Sequence, residues 1–104
     1  MQPIGYAMNG RDVVVSVGES FEIELSENPT TGYRWQMSAT GPSAVELETD
    51  KFEPSTEAIG AGGTRRWTFL AVREGNDHLE FEYRRSWERK ATELFRIAIQ
   101  VLAP

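Results

Sequence analysis

Three short segments of this chain hold residue types that can do more than complete a fold. In chain order they are Asn28-Pro29-Thr30-Thr31-Gly32-Tyr33, Gly60-Ala61-Gly62-Gly63 and Arg85-Ser86-Trp87. In the first segment, proline fixes φ, the β-branched threonines are stiff at χ1, and glycine reaches positive φ. Such a loop loses little entropy when another surface captures it, which favours a binding role. An ordinary proline-containing turn, in which Asn and Thr bond local backbone, is the alternative interpretation.

The glycine-rich segment 60–63 is a weak candidate for phosphate binding. It lacks a Walker lysine and the third glycine of the dinucleotide fingerprint, and it precedes a strand instead of opening a helix. Glycines here favour a mobile loop or a backbone that lies close against another surface. The loop that contains them, predicted to run from Lys51 to Thr64, is long, and long loops often carry function.

The third segment lies in a basic stretch. Residues 84–90 contain four basic residues and one acidic residue, although the whole chain has a net charge of −5 and a pI near 4.9. Trp87 lies outside the alternating apolar pattern, and Trp and Arg dominate the energetics of protein interfaces. Two other interpretations stay open: Trp87 covers the core, or it stacks with bases of single-stranded nucleic acid. The acidic balance and the absence of a second loop aromatic count against nucleic acid, so we predict no nucleic-acid partner.

Other chemistry is excluded by composition. The chain has no cysteine, which removes thiol nucleophiles, disulfides and zinc–thiolate sites, and its single histidine, His78, rules out a multi-histidine metal site. No nucleophile-elbow motif supports a triad of His78 with Asp77, and we expect His78 at the surface. The glutamates alternate along strands, so we expect them to face solvent rather than to form a glycosidase pair. We therefore predict that the chain is not an enzyme and uses no cofactor or metal.

The elements that position these segments follow from a period of two in the apolar residues. This alternation is typical of half-buried strands, and it is clearest from Phe95 to Val101. Seven such strands at short spacing, with no apolar stripe of helical period, predict an all-β, immunoglobulin-like antiparallel β-sandwich of seven to eight strands. We expect a single domain over residues 1–104, in which residues 1–10 form an edge strand or a loose N-terminal segment.

Strands that alternate in direction place every second connection at the same end of a sandwich. The connections 28–32, 51–64 and 85–92 then share one end. The short turns 18–19, 39–43 and 73–76 share the other. All three unusual segments collect at the first end, which is how a rigid scaffold displays a binding surface.

Taken together and in this order, the three segments resemble the motifs of the chagasin family of cysteine peptidase inhibitors. The family pattern is Asn-Pro-Thr-Thr-Gly-(Tyr/Phe), then Gly-x-Gly-Gly, then Arg-(Pro)-Trp, and the resemblance covers nearly the whole chain. The family fold is an immunoglobulin-like sandwich whose three same-end loops enter the cleft of a papain-like enzyme. The resemblance therefore implies a reversible, tight-binding protein inhibitor of papain-family cysteine endopeptidases, with papain or a cathepsin L-like enzyme as partner.

The resemblance also implies a role for each segment. Residues 30–32 would lie over the catalytic cysteine of the enzyme, and the glycine-rich segment would lie along the substrate groove. Arg85 and Trp87 would contact the other side of the cleft. Ser86 stands where the family commonly has proline, which implies a less rigid third loop. Arg84 directly precedes Arg85, so the register of the functional arginine is open.

A non-inhibitory immunoglobulin-like adhesion or ligand-binding module that uses the same loop end is the alternative function. We expect a monomer without a membrane span, since the longest unbroken apolar stretch, Phe69 to Val72, is far too short. Residues 1–5 have neither the basic start nor the apolar run of a signal peptide. The compartment stays open at this point: periplasmic or secreted if a leader was removed, and otherwise cytoplasmic.

Overall fold

The computed structural model describes residues 2–37, 44–55 and 62–104, and it shows seven strands within them. In chain order they are β1 (Asp12–Ser16), β2 (Ser20–Glu27), β3 (Tyr33–Met37), β4 (Val45–Pro54), β5 (Gly63–Ala71), β6 (Gly75–Arg85) and β7 (Glu93–Leu102). Two single-turn 3-10 helices lie at Tyr6–Met8 and Pro29–Thr31. No helix in the described ranges is long and apolar enough to cross a membrane. The predicted turn 39–43 lies outside the described residues.

The strands form two sheets, one in the order β1-β7-β6-β3 and the other in the order β2-β5-β4. The pairs β2–β5, β4–β5, β3–β6 and β6–β7 are antiparallel, whereas β1 and β7 are parallel. Successive strands alternate in direction, so all strands of odd number run the same way. Because β1 and β7 are neighbours in the sheet, their pairing is parallel. The two-sheet, immunoglobulin-like sandwich is as predicted, with this one parallel pair inside it.

The core lies between the sheets and is built from the inward side of each alternating strand. Trp67 of β5 and Phe81 of β6 meet across the sandwich with ring centroids 4.5 Å apart, and Phe81 contacts Phe95 of β7 at 6.0 Å. Burying one Phe side chain contributes about 1.5–3 kcal/mol. Ile4, ahead of β1, is also buried and pairs with Ile23 of β2. Residues before β1 therefore cover an edge of the second sheet.

β4 and β5 are longer than predicted, and the connection between them is shorter. The interval expected as a loop, 51–64, contains the end of β4 at Pro54 and the start of β5 at Gly63. The pairing of β4 with β5 shifts register between Leu47 and Thr49. A β-bulge places an extra residue in one strand, so the alternation that identifies the beginning of β4 does not continue past this point.

β6 begins earlier than predicted, at Gly75. β6 thus includes part of the predicted turn 73–76. His78 lies within this strand and is exposed as expected. Asp77 is buried, and its carboxylate accepts hydrogen bonds from the backbone N–H groups of Ala44 (2.7 Å) and Val45 (3.1 Å). The Asp77 carboxylate thus fixes the start of β4.

Candidate functional site

The β2–β3 loop is held in shape by its own hydrogen bonds. The Asn28 side chain accepts hydrogen bonds from the backbone N–H (3.2 Å) and the hydroxyl of Thr30, and the Thr31 hydroxyl donates to the Asn28 carbonyl (2.7 Å). Gly32 ends the turn with a φ of 84° and donates its N–H to the Pro29 carbonyl (3.0 Å). The local bonding of an ordinary turn is thus present, yet Thr30 and Thr31 stay exposed. The result is a preformed turn with two threonines at its surface.

Both stems of this loop are fixed to the sandwich by Trp35 and Tyr83. The Trp35 indole N–H donates to the Ser26 carbonyl (2.8 Å), and the Trp35 backbone N–H donates to Glu27 Oε2 (3.1 Å). The Tyr83 hydroxyl accepts the backbone N–H of Asn28 (3.2 Å), and its ring centroid lies 4.9 Å from that of Trp35. These contacts tie the residues just before the loop to the strand that follows it.

Glu27, the residue immediately before the loop, carries a buried carboxylate. Its side chain is fully buried and lies 3.2 Å from Arg65 Nη1. Arg65 also pairs with Asp50 of β4, and the hydrogen bond to Asp50 is the largest cause of the raised pKa of the Arg65 guanidinium. The network links the base of the β2–β3 loop to the β4–β5 hairpin. The sequence alone did not reveal this network, although Glu27 follows the inward-facing Leu25 by two residues and so points to the same side of β2.

The β4–β5 loop approaches the first loop through its last glycines. The predicted site residues Gly60 and Ala61 lie outside the described residues. A Cβ on Gly62, whose φ is 78°, would lie 2.7 Å from the Glu27 carbonyl oxygen, and a Cβ on Gly63 would lie 2.0 Å from the Glu53 carbonyl oxygen. Real Cβ atoms do not make contacts this short, so both positions require glycine. The close backbone approach predicted for the glycines is, at these two, an approach to the protein's own chain.

The β6–β7 connection places Arg85 and Trp87 beside the first loop. Arg85 Nε donates to the Thr31 carbonyl (3.1 Å), and the guanidinium carbon lies 4.5 Å from the centroid of the Tyr33 ring. The Trp87 ring is so close to Gly32 that its Cη2 would lie 3.1 Å from a Cβ added there. Trp87 is 72% exposed, so the interpretation of this residue as a cover of the core is wrong.

Arg84 belongs to a different set of contacts. It donates from Nη2 to Gln36 Oε1 (3.0 Å), from Nη1 to the Glu88 carbonyl (3.0 Å) and from Nε to Glu82 Oε2 (3.3 Å). Adjacent residues of a strand point to opposite faces of the sheet, so Arg84 and Arg85 serve different sides of β6. The structure therefore places Arg85, not Arg84, against the first loop.

The first and third loops and the described end of the second meet at one end of the sandwich, as the alternation of strand directions predicts. Gly62 adjoins Glu27, and Gly32 lies between Trp87 and Arg85. Within the part of the chain that the structure describes, no group of three or more His, Asp or Glu side chains could hold a metal ion. The surface instead offers a rigid turn, tightly packed backbone and an exposed tryptophan, which are the components of a protein-binding site.

A sandwich that presents three braced loops at one end defines a protein-binding scaffold, and comparison with known proteins gives its class. A family model described as "Chagasin family peptidase inhibitor I42" matches residues 14–101, and the chain belongs to this family. It is 30% identical over 102 residues to chagasin of Trypanosoma cruzi, with 93% of each protein covered. It is 33% identical over 87 residues to amoebiasin-1 of Entamoeba histolytica, with 82% of this chain and 83% of the relative covered. Membership of a family of peptidase inhibitors confirms that the chain is not an enzyme.

Solved structures give the same class of fold. The cysteine protease inhibitor EhICP2 from Entamoeba histolytica superposes with a TM-score of 0.83 at 17% identity, over 97% of this chain and 94% of the other. The protein ICP of Leishmania mexicana has a TM-score of 0.59 at 28% identity, over 94% of this chain and 93% of the other. The predicted immunoglobulin-like fold is confirmed by these likenesses.

Proposed function

We propose that this chain is a reversible, tight-binding inhibitor of papain-family cysteine endopeptidases and that it occludes their active-site cleft with the three loops. The observation that carries the proposal is the mutual bracing of the loops, in which Arg85 bonds to Thr31 while Trp87 stays exposed beside Gly32. A structural neighbour with a TM-score of 0.66 and 15% identity, PbICP-C, was solved in complex with falcipain-2. Family membership and the loop geometry support the same class of partner here.

The chemistry of the target explains why a rigid turn is effective. A papain-like enzyme holds a reactive thiolate beside a protonated histidine in a groove. Thr30, Thr31 and Gly32 would cover this thiolate. The turn is closed by internal hydrogen bonds, including Gly32 N–H to the Pro29 carbonyl at 3.0 Å. It therefore fills the groove without presenting a peptide carbonyl in the extended geometry needed for attack.

The other two loops would supply contacts on either side. Residues 60–63 would run along the substrate groove, with Gly62 and Gly63 held in place by their close approach to this protein's own backbone. Trp87 would pack on apolar surface of the opposite wall, with its large exposed area as the anchor. Tyr33 and Arg85 would support the first loop from below and beside it. Because these parts are preformed, little conformational entropy is lost on binding, and that favours high affinity.

The direct test is titration of papain with this protein while a peptide substrate competes. We expect competitive inhibition in the nanomolar range, on the order of 1–100 nM, as is typical of protease–inhibitor interfaces of standard size. Papain whose active-site cysteine carries a bulky covalent blocker should bind much more weakly. If papain and a cathepsin L-like enzyme are both uninhibited at micromolar concentration, the alternative of a non-inhibitory binding module replaces this proposal.

A further inference from the structure

The β6–β7 connection and the adjacent part of β3 carry an unbalanced positive charge. Residues 84–90 contribute +3 to a chain whose net charge is −5, so the other 97 residues together carry −8. Four bases at this end form no ion pair with any other described residue. We call these four residues the basic corner: Arg34, Arg85, Arg89 and Lys90.

The charges of the basic corner are not arranged as folding stability alone would favour. Arg34 on β3 lies directly opposite Arg84 on β6, and like charges at opposed positions of a sheet are destabilising. Arg84 has a counter-charge in Glu82 at 3.3 Å. Two further carboxylates belong to this end of the molecule, the half-buried Glu88 and the exposed Glu93. Against four bases, they leave the corner positive.

Elsewhere in the described residues, the arginines of β5 are compensated, whereas the exposed Arg96 of β7 forms no ion pair. Arg65 and Arg66 of β5 each pair with two carboxylates. The guanidinium carbon of Arg85 lies 5.9 Å from the ring centroid of Trp87, and Arg89 and Lys90 follow Trp87 in the same connection. Trp87 is the most exposed large apolar side chain of the described residues, at 72%. Four of the unpaired bases are therefore located at the end of the sandwich that carries the proposed binding surface.

From this charge distribution we infer that the basic corner steers the inhibitor toward peptidases that carry carboxylates on the cleft wall facing Trp87. The inference rests on the proposed function and adds to it the class of target, a papain-like endopeptidase with an acidic surface beside its cleft. Charges at the rim of an interface change the association rate and its salt dependence more than the affinity. Complementary fields raise association rates by about tenfold or more at low salt. The corner thus selects targets at the encounter step.

The test uses stopped-flow association with two papain-like endopeptidases of known structure, one acidic and one basic around its cleft. Raising NaCl from about 20 to 200 mM shortens the Debye length to roughly 7 Å, so that charges on the two approaching proteins are largely screened from each other. For the acidic peptidase we expect the association rate constant to fall by about tenfold. For the basic peptidase we expect it to stay constant or to rise.

Two double variants distinguish the effect of the basic corner from the effect of net charge. Arg89→Gln with Lys90→Gln removes two positive charges next to Trp87 and should abolish most of the salt dependence, with a smaller effect on the dissociation rate. Arg11→Gln with Arg73→Gln removes the same charge from two exposed positions outside the three loops and should behave like the wild type.

The outcomes distinguish the inference from the proposed function. If the Arg89/Lys90 variant keeps the salt dependence of the wild type, or if both peptidases show the same dependence, the inference is wrong while inhibition stands. If neither peptidase is inhibited at all, the proposed function is wrong and the inference is overturned with it.

Discussion

Arg85 lies directly opposite Tyr33 in the β3–β6 pairing, with its guanidinium carbon 4.5 Å from the centroid of the tyrosine ring. The same side chain donates from Nε to the Thr31 carbonyl at 3.1 Å. The family resemblance implies that Arg85 contacts the enzyme, yet in the free protein its side chain already contacts the first loop. It joins the third loop to the first, so the two loops reach a target as one unit.

Replacing Arg85 tests this bracing. Arg85→Ala is expected to raise the Ki for papain by about tenfold or more, since it removes a cation–π contact and a hydrogen bond that together contribute about 1–2 kcal/mol. Arg85→Lys keeps the charge but loses the planar fork, and it should restore only part of the inhibition. Amide hydrogen exchange at Thr31 and Gly32 should accelerate in both variants. Unchanged exchange in Arg85→Ala would show that the first loop does not depend on this contact.

Trp87 is expected to act as an energetic anchor without a role in stability. Trp87→Ala should weaken inhibition by about 2 kcal/mol or more, as for the central aromatic of a protein interface, because the side chain is 72% exposed in the free protein. The unfolding midpoint in urea should stay at its wild-type value. Leu102→Ala, at a 44% exposed position on the far end of β7, is the matched control and should alter neither quantity. A large loss of stability in Trp87→Ala would contradict this assignment.

The adjacent arginines Arg65 and Arg66 give a matched pair for the buried network. Arg65→Met leaves the fully buried carboxylate of Glu27 without its cation, and breaking such a pair costs about 3 kcal/mol or more. Arg66→Met removes partly exposed ion pairs on the same strand and should change the free energy of unfolding far less. Urea denaturation measures both. Equal effects of the two substitutions would mean that Glu27 does not need its partner.

Ser86 is the position at which proline is expected to improve the protein. Glu88 donates its N–H to the Arg85 carbonyl at 3.0 Å, which closes a turn with Ser86 at its second position, where proline is favoured. Ser86→Pro should raise the free energy of unfolding by about 0.4–1 kcal/mol by restricting the unfolded chain, and it should slow dissociation from papain. A destabilised variant would show that the Ser86 φ does not suit proline.

The sequence predicts most of the fold, since the alternation in β2 and β7 is regular and each inward residue except Glu27 is apolar. It fails in β4, because the bulge between Leu47 and Thr49 interrupts the period from which the strand would be read. The alternation of apolar residues identifies strands, but it does not show which strands are neighbours within a sheet. The parallel neighbours β1 and β7 therefore emerge only from the assembled sheet.

The candidate site is predicted as a set of segments, but not as a set of contacts. The sequence predicts that the three loops lie at one end, but it does not show which of Arg84 and Arg85 faces the first loop. Only the strand pairing shows that Arg85 faces Tyr33 while Arg84 bonds to Gln36. The buried pair of Glu27 and Arg65 was missed because charged residues at inward positions look like solvated ones until both strands are placed.

Occlusion of the cleft should protect the papain active-site cysteine from alkylation, since the first loop is proposed to cover that thiolate. Papain would be mixed with increasing amounts of this protein, and the rate of its reaction with iodoacetamide would be measured. We expect this rate to fall in proportion to the fraction of enzyme bound and to approach zero at saturation. A complex that forms tightly but leaves the alkylation rate unchanged would contradict occlusion of the cleft by the three loops.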